Sequence, residues 1–400
     1  MAIGFILILA LLGLFFWNIR QVKSDVKGSL IAGAYIIVTI GSFMLYRNSV
    51  VFSYLQTLMI IWLCQALWIF LLWDVFRIVR RLKTKKRLLQ PDAERQAGFL
   101  FGISFALTVV FLTYGMQHNE NYELRFETIK LENRVAQSQV TDSAAAPVAE
   151  QKNFTAMFFS DLHLDMLSKP AKLERMVSEA KSIKPDFILF GGDLADIHDS
   201  VMTAQGYDKL VKQLASTAKI AAVAINGNHE GYMERNGSDP MGWLRRNGFV
   251  VLDDSTACFP AGSSNQAIKP VACFTGRTDF QVSRTREETR KPLADLVPGA
   301  QLASEESAKL QNIPWILLDH QPKGIEKDYN GRLPDLALSG HTHDGQFFPG
   351  TVFIDLFWRL SVGFGILDNT KWLVTSGVDS WGPPVRVGSD TEMWVLNFER

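Results

Sequence analysis

The sequence predicts an α/β domain preceded by an N-terminal region of four transmembrane helices. Three observations predict it. Long uncharged runs crowd the first 117 residues, short apolar runs of strand length alternate with helical patterns from residue 153 onward, and clusters of Asp, Asn and His follow those short runs directly. With 400 residues, 47% apolar content and a formal net charge of zero, the chain has room for more than one domain. It lacks the basic excess of a nucleic-acid binder, so no nucleic-acid partner is expected.

The uncharged runs are residues 1–19, 29–46, 50–73 and 96–117. Each is long enough to cross a hydrocarbon core of roughly 30 Å, the first two near the short limit. The first is read as a span rather than a cleaved signal peptide, because it has no basic leading segment and no small-residue cleavage site before Trp17. Basic residues that flank spans stay on the cytoplasmic side. The connection after the third run carries Arg77, Arg80, Arg81, Lys83, Lys85, Lys86, Arg87 and Arg95. The one after the first has Arg20, Lys23 and Lys27 against Asp25, and the one after the second has only Arg47. Four crossings then put the N-terminus and everything beyond residue 117 on the far side, in a periplasm, a lumen or outside the cell. A lipid-headgroup or partner site is the other reading of the basic connection, and it leaves this integral-membrane topology unchanged. No Asp, Glu, Lys, Arg or His lies inside the four runs to mark the ion path of a transporter.

Cys258 and Cys273 flank the Gly262-Ser263-Ser264-Asn265 turn almost symmetrically, as cross-strand partners in a hairpin do. With the domain in an oxidising compartment they form a disulfide, which closes a loop of about 15 residues and contributes on the order of 3 kcal/mol. Two buried free thiols are the alternative. From residue 119 to about 150 the chain offers a strand-like 122–126 and then a polar stretch ending in Ala144-Ala145-Ala146-Pro147, a leading strand and linker. The expected organisation is therefore a membrane region over 1–117, this connection over 118–152 and a catalytic domain over 153–400.

Within that domain the strand-length runs are 154–159, 187–190, 221–225, 315–318 and 336–338. Immediately after them come Asp161-Leu162-His163, Gly192-Asp193, Gly227-Asn228-His229-Glu230, His320 and Gly340-His341-Thr342-His343, which hold five of the seven histidines. Side chains there emerge at strand C-terminal ends, where α/β folds place their sites. Asp161 and His163 are two apart, so on an extended continuation both point to one side while Leu162 turns into the core, and His341 and His343 repeat the spacing. Gly192, Gly227 and Gly340 leave backbone room beside them. Asp, Asn and His gathered this way suit divalent Mn, Fe or Zn and indicate a hydrolase.

The ordered set D-x-H, G-D-x-x-D, G-N-H-E, a single His after a strand and G-H-T-H resembles the calcineurin-like metallophosphoesterase family, over roughly residues 154–400. The stretch 340–346 and Gly382-Pro383-Pro384-Val385-Arg386 also resemble its membrane-associated bacterial phosphodiesterase branch, in which a transmembrane bundle precedes the enzyme. Asp344 departs from that pattern, where such sequences often have Gly. The resemblance implies a metallophosphoesterase-type β-sandwich flanked by helices and two divalent metal ions (Mn, Zn or Fe). By the same resemblance Asp161, His163 and His343 hold one metal, Asn228, His320 and His341 hold the other, and Asp193 bridges them. It gives His229 the scissile phosphate, to stabilise charge or protonate the leaving group, with Glu230 as an orienting partner. Two cations about 4 Å apart activate a water and neutralise phosphoryl oxygens, so no protein nucleophile is needed.

Other positions keep two readings. Asp196 either orients a ligand or caps the next helix, and His118 and His198 read as surface or interfacial residues. The aromatic stretch at Phe347-Phe348 and 353–360 either dips into the bilayer interface to admit a lipid tail or completes the core. A phosphoester held near headgroups by a membrane tether points to a lipid-linked or envelope substrate. A soluble nucleotide substrate and a non-catalytic phospho-ligand sensor are the alternatives. Oligomeric state is not legible.

Overall fold

The computed structural model describes residues 25–45, 49–84, 90–131, 153–260, 270–300, 302, 307 and 310–399. The first expected span, the basic residues of 85–89, the linker over 132–152 and the turn at 262–265 lie outside them. Two compact units are present, Met1–Gln117 with Gly382–Val385, and His118–Trp381 with Arg386–Arg400.

In the first unit the helices are α1 (Asp25–Leu45), α2 (Val50–Thr84) and α3 (Gln90–Glu120), the last running on into the second unit. Among the described residues only α2 is long and apolar enough to cross a membrane, where the sequence leads one to expect four spans. In α1 the strongly apolar part narrows to Gly33–Ser42. At the 1.5 Å rise of a helix that piece reaches about half the roughly 30 Å of hydrocarbon. Helix α2 continues past the uncharged run to Thr84, so Arg77, Arg80, Arg81 and Lys83 lie on its C-terminal end rather than in a loop. Among its described residues the unit buries polar side chains beside an apolar cluster of Tyr35, Ala66 and Phe70, and exposes many aliphatic ones. Ser42, Gln56, Thr57, Ser104 and Thr108 are buried, whereas Ile37, Met44, Val51, Leu72 and Val110 are exposed. Inside, Trp62 Nε1 donates to Ser104 Oγ at 3.1 Å and Tyr35 Oη to the Met59 carbonyl at 2.8 Å.

Among the described residues the second unit holds twelve strands: β1 (Glu123–Lys130), β2 (Phe154–Phe159), β3 (Phe187–Phe190), β4 (Ala221–Ala224), β5 (Val250–Val251), β6 (Ser255–Phe259), β7 (Ala272–Gly276), β8 (Trp315–Leu318), β9 (Leu336–Ser339), β10 (Gly363–Leu367), β11 (Thr370–Val374) and β12 (Glu392–Glu399). They form two six-stranded sheets, ordered β1-β12-β2-β3-β4-β5 and β10-β11-β9-β8-β7-β6. The leading strand β1 runs parallel to the last strand β12, which is antiparallel to β2. Strands β2 to β5 are parallel in one sheet, and β7, β8, β9 and β11 are parallel in the other.

The two-residue side-chain period decides the layering. Phe154, Ala156 and Phe158 of β2 enter the cluster between the sheets, with Phe187, Val223, Phe274, Ile316 and Leu338. Met157 and Phe159 point the other way, into a cluster with Leu173, Met176 and Val177 of α4 (Pro170–Ile183). Strands buried on both faces read as continuous apolar runs, which is why these were visible in the sequence. The β6–β7 pair is antiparallel with Cys258 opposite Cys273, and the two sulfurs are bonded.

Candidate metal centre

Five parallel strands converge on one place. The ends of β2, β3 and β4 deliver Asp161 and His163, Asp193, and Asn228 with His229, while those of β8 and β9 deliver His320 and His341 with His343. The turns that carry them are not extended continuations of the strands. Asp161 (φ 59°), His163 (41°), Asp193 (59°), His341 (73°) and His343 (50°) all lie in the left-handed region. The cause is lacing between turns: the N–H of Asp161 donates to the Gly192 carbonyl at 2.9 Å, and those of Leu162 and His163 to the Asp193 carbonyl at 2.9 and 3.1 Å. Leu162 still enters the core, 2% exposed. Each such non-glycine residue costs about 1–3 kcal/mol, and strain of this kind collects at functional sites. The glycines beside them are sterically required, since a side chain at Gly227 would strike the Asp193 carboxylate and one at Gly340 the Asp161 carboxylate.

The donor atoms fall into overlapping groups. Asp161, His163 and His343 offer ligand atoms within 4.8 Å of one another, as do Asp193, His320 and His341. His343 Nε2 is 3.4 Å from Asp161 Oδ1 and 3.2 Å from His163 Nε2. Asp193 Oδ2 stands between the groups, 3.6 Å from His163 Nε2 and 3.1 Å from His320 Nε2. His229 also groups with His163 and Asp193. Asn228 Oδ1 is buried without a hydrogen-bond partner among the described residues, a loss of about 1–3 kcal/mol that a cation would relieve. Imidazole nitrogens, carboxylates and one amide oxygen are a donor set that fits divalent transition metals.

Charge in the cluster points the same way. Burial disfavours the imidazolium of His320, but Asp193 and Asp161 outweigh it and raise its pKa to about 10. His163 is likewise raised, burial opposing and Asp196, Asp161 and Asp193 prevailing. Burial dominates at His341, lowering it to about 3. A proton on the nitrogen that His163 or His320 offers would have to leave before that ring could take a cation.

A second layer holds these donors. His320 Nδ1 donates to the Gly191 carbonyl at 2.8 Å, which turns its Nε2 toward Asp193. Asp196 serves two histidines, lying 3.3 Å from His163 Nδ1 and bonded to His229 Nδ1. It does not cap the next helix, α5 (Asp199–Ala204), whose cap is His198. Glu230 is not the partner of His229. Its carboxylate accepts from the backbone N–H groups of Gly227, Asp193 (3.0 Å) and Leu194 (2.7 Å), tying the β3 and β4 turns together. His118 pairs with Asp390 at 2.9 Å.

Arg386, quoted in the sequence only as part of a resemblance, is fully buried behind His343. Its guanidinium donates to the carbonyls of His343 (2.6 Å), Ser376 (2.6 Å) and Asp379 (2.7 Å) and to His343 Nδ1 at 3.1 Å. Burial lowers its pKa to about 10, so it stays charged at neutral pH. A guanidinium only donates, so the contact is a hydrogen bond in the tautomer whose Nδ1 accepts. Two tryptophans edge the cluster, with Trp358 5.1 Å from the His341 ring and Trp381 6.3 Å from that of His229. Asp344, the departure noted in the sequence, is half-buried with its pKa raised to about 6 by burial.

Residues 154–345 match the profile of the calcineurin-like phosphoesterases. An uncharacterized metallophosphoesterase of Helicobacter pylori is 28% identical over 249 residues, 62% of this chain and 60% of its own length. A Danio rerio protein named transmembrane protein with metallophosphoesterase domain is 29% identical over 248 residues, 59% of this chain and 51% of its length. An uncharacterized metallophosphoesterase of Aquifex aeolicus is 26% identical over 298 residues, 73% of this chain and 98% of its length. The chain thus spans 60% of the first of these relatives and 51% of the second.

Proposed function

Because the chain carries a calcineurin-like metallophosphoesterase domain, of a family of metal-dependent hydrolases, we propose that it is a membrane-anchored, dinuclear phosphoesterase. Its reaction is phosphodiester or pyrophosphate hydrolysis on a lipid-linked or envelope substrate. The observation that carries this is the position of Asp193 Oδ2, 3.6 Å from His163 Nε2 in one donor group and 3.1 Å from His320 Nε2 in the other.

In this reading Asp161, His163 and His343 would hold one cation, and Asn228, His320 and His341 the second, with Asp193 placed to serve both. Bound divalent cations supply an activated water and neutralise charge on the phosphoryl oxygens. Asp196 holds His229 by Nδ1, which leaves Nε2 to face substrate. Burial opposes the charged ring, but Asp196 and Asp193 raise its pKa, so His229 keeps a proton for the departing oxygen. Asp161 takes the backbone N–H of His341 at 3.1 Å, which keeps the β2 and β9 turns in register.

Residues 1–117 form the membrane region, 118–152 the connection and 153–400 the catalytic domain, which lies outside the cytoplasm. The apolar exterior of the first unit and the Cys258–Cys273 bond support this. The test is turnover of phospholipid, pyrophosphate and nucleotide-ester panels by the detergent-purified full chain with Mn or Zn. Preference for the lipid esters is expected. Preference for nucleotides would move the substrate into water, and no turnover of any ester would overturn the hydrolase.

A further inference from the structure

The segment just beyond the last expected ligand is exposed where a soluble core would bury it. It forms α6 (Gly350–Phe353) and a 3₁₀ turn (Ile354–Leu356), and Val352 (60%), Phe353 (42%), Leu356 (78%) and Phe357 (78%) are open to solvent. Single exposed apolar residues are ordinary, but four within six positions make a patch, the mark of a binding surface. This one is fastened to the centre at both ends. A side chain at Gly345 would strike the Gly350 backbone, and Thr342 Oγ1, between the two histidines, donates to the Ser361 carbonyl. Its last aromatic neighbour, Trp358, lies against His341. Across the centre Trp381, 56% exposed, stands by His229 and exchanges hydrogen bonds of 2.9 Å with Gln346 in both directions.

We propose that this face is a lipid-docking wall, which sits in the headgroup–acyl boundary and lays the apolar chain of an amphiphilic phosphoester alongside the metal centre. It rests on the hydrolase reading above for its substrate, but not for its contact with lipid. A lipid surface is the occupant because the chain itself carries α2, apolar and long enough to span a bilayer, and a tethered domain meets that surface at high effective concentration. Aromatic and aliphatic side chains on a short helical face suit that boundary. The wall reaches the site's own histidines through Trp358 and Trp381, so what docks there meets the reacting groups.

Two measurements on the full chain test it. The first compares methyl and hexadecyl 4-nitrophenyl phosphodiesters, which share a leaving group, in wild type and in the double variant Leu356→Asp, Phe357→Asp. The variant is expected to lose about tenfold or more in kcat/KM on the hexadecyl ester while keeping the methyl ester unchanged. Equal loss on both, or no loss on either, overturns the wall and leaves the hydrolase standing. The second places a fluorophore at Phe357→Cys in a Cys64→Ser background, in phosphatidylcholine vesicles with brominated acyl chains. Quenching is expected; it needs no turnover, so it holds the wall apart from the hydrolase if neither ester is cleaved. Absence of quenching overturns the wall, as does a Phe357→Cys disulfide-linked dimer, which assigns the face to a second copy.

Discussion

At the scale of single residues, the centre depends on side chains that each serve two groups. Asp193 is the extreme case, with one oxygen shared between two histidines and the other accepting the His229 N–H at 2.8 Å. Asp196 joins His163 to His229. Asp196→Asn removes the anion that, against burial, raises His229, so the His229 pKa falls and protonated His229 is lost at a lower pH. The alkaline limb of the pH–rate profile is therefore expected to move down, and an unmoved limb would separate His229 from proton transfer. Metal affinity, read by titration calorimetry, is expected to drop about 10–100-fold in the same variant because His163 loses its partner. Arg386→Lys replaces a planar fork bonded to three carbonyls and a ring nitrogen by a single ammonium, and is expected to weaken metal binding while the far-UV spectrum stays native. The residues gathered at the centre were readable because they sit in contiguous runs at strand ends. Arg386 was not, since 43 residues separate it from His343 and only the tertiary fold brings them together. Asp196 was ambiguous because a carboxylate before a helix reads equally as a cap.

At the scale of elements, strands of four to six apolar residues buried on both faces were legible, and β2, β3 and β8 fall on the expected runs. The site turns were misread as extended because backbone bonding between loops is invisible in one sequence; left-handed Asp161 and His163 exist only because the neighbouring turn accepts their N–H groups. Strands β10, β11 and β12 carried no motif to draw notice, yet β12 lies inside the first sheet, paired with β1 on one side and β2 on the other. The paired cysteines were legible from symmetry about a turn. Their bond joins residues 15 apart, so reduction is expected to lower unfolding stability by about 3 kcal/mol. Denaturant titration with and without dithiothreitol checks this, and an unchanged midpoint would show that β6 and β7 hold without it.

At the scale of the whole molecule, the two parts differ in what they expose: the described residues of the first unit present many aliphatic side chains outward, while the second hides its aromatics between sheets. Uncharged runs reveal apolar length in the sequence but not where a helix keeps it, and among the described residues one helix, against four expected spans, is long and apolar enough to cross a membrane. Protease added to sealed membrane vesicles of known orientation is expected to digest the catalytic domain only from the non-cytoplasmic face; digestion from the cytoplasmic face would reverse the topology. The central claim is metal-dependent phosphoester hydrolysis organised around Asp193, and one measurement reaches it most directly. It is the rate of aryl phosphodiester cleavage by the detergent-purified full chain, with and without added Mn, beside Asp193→Asn. The account predicts Mn-dependent cleavage that the variant reduces by about a thousandfold or more, as the loss of a ligand common to both donor groups requires. Cleavage that persists in the variant, or that ignores the metal, would contradict it.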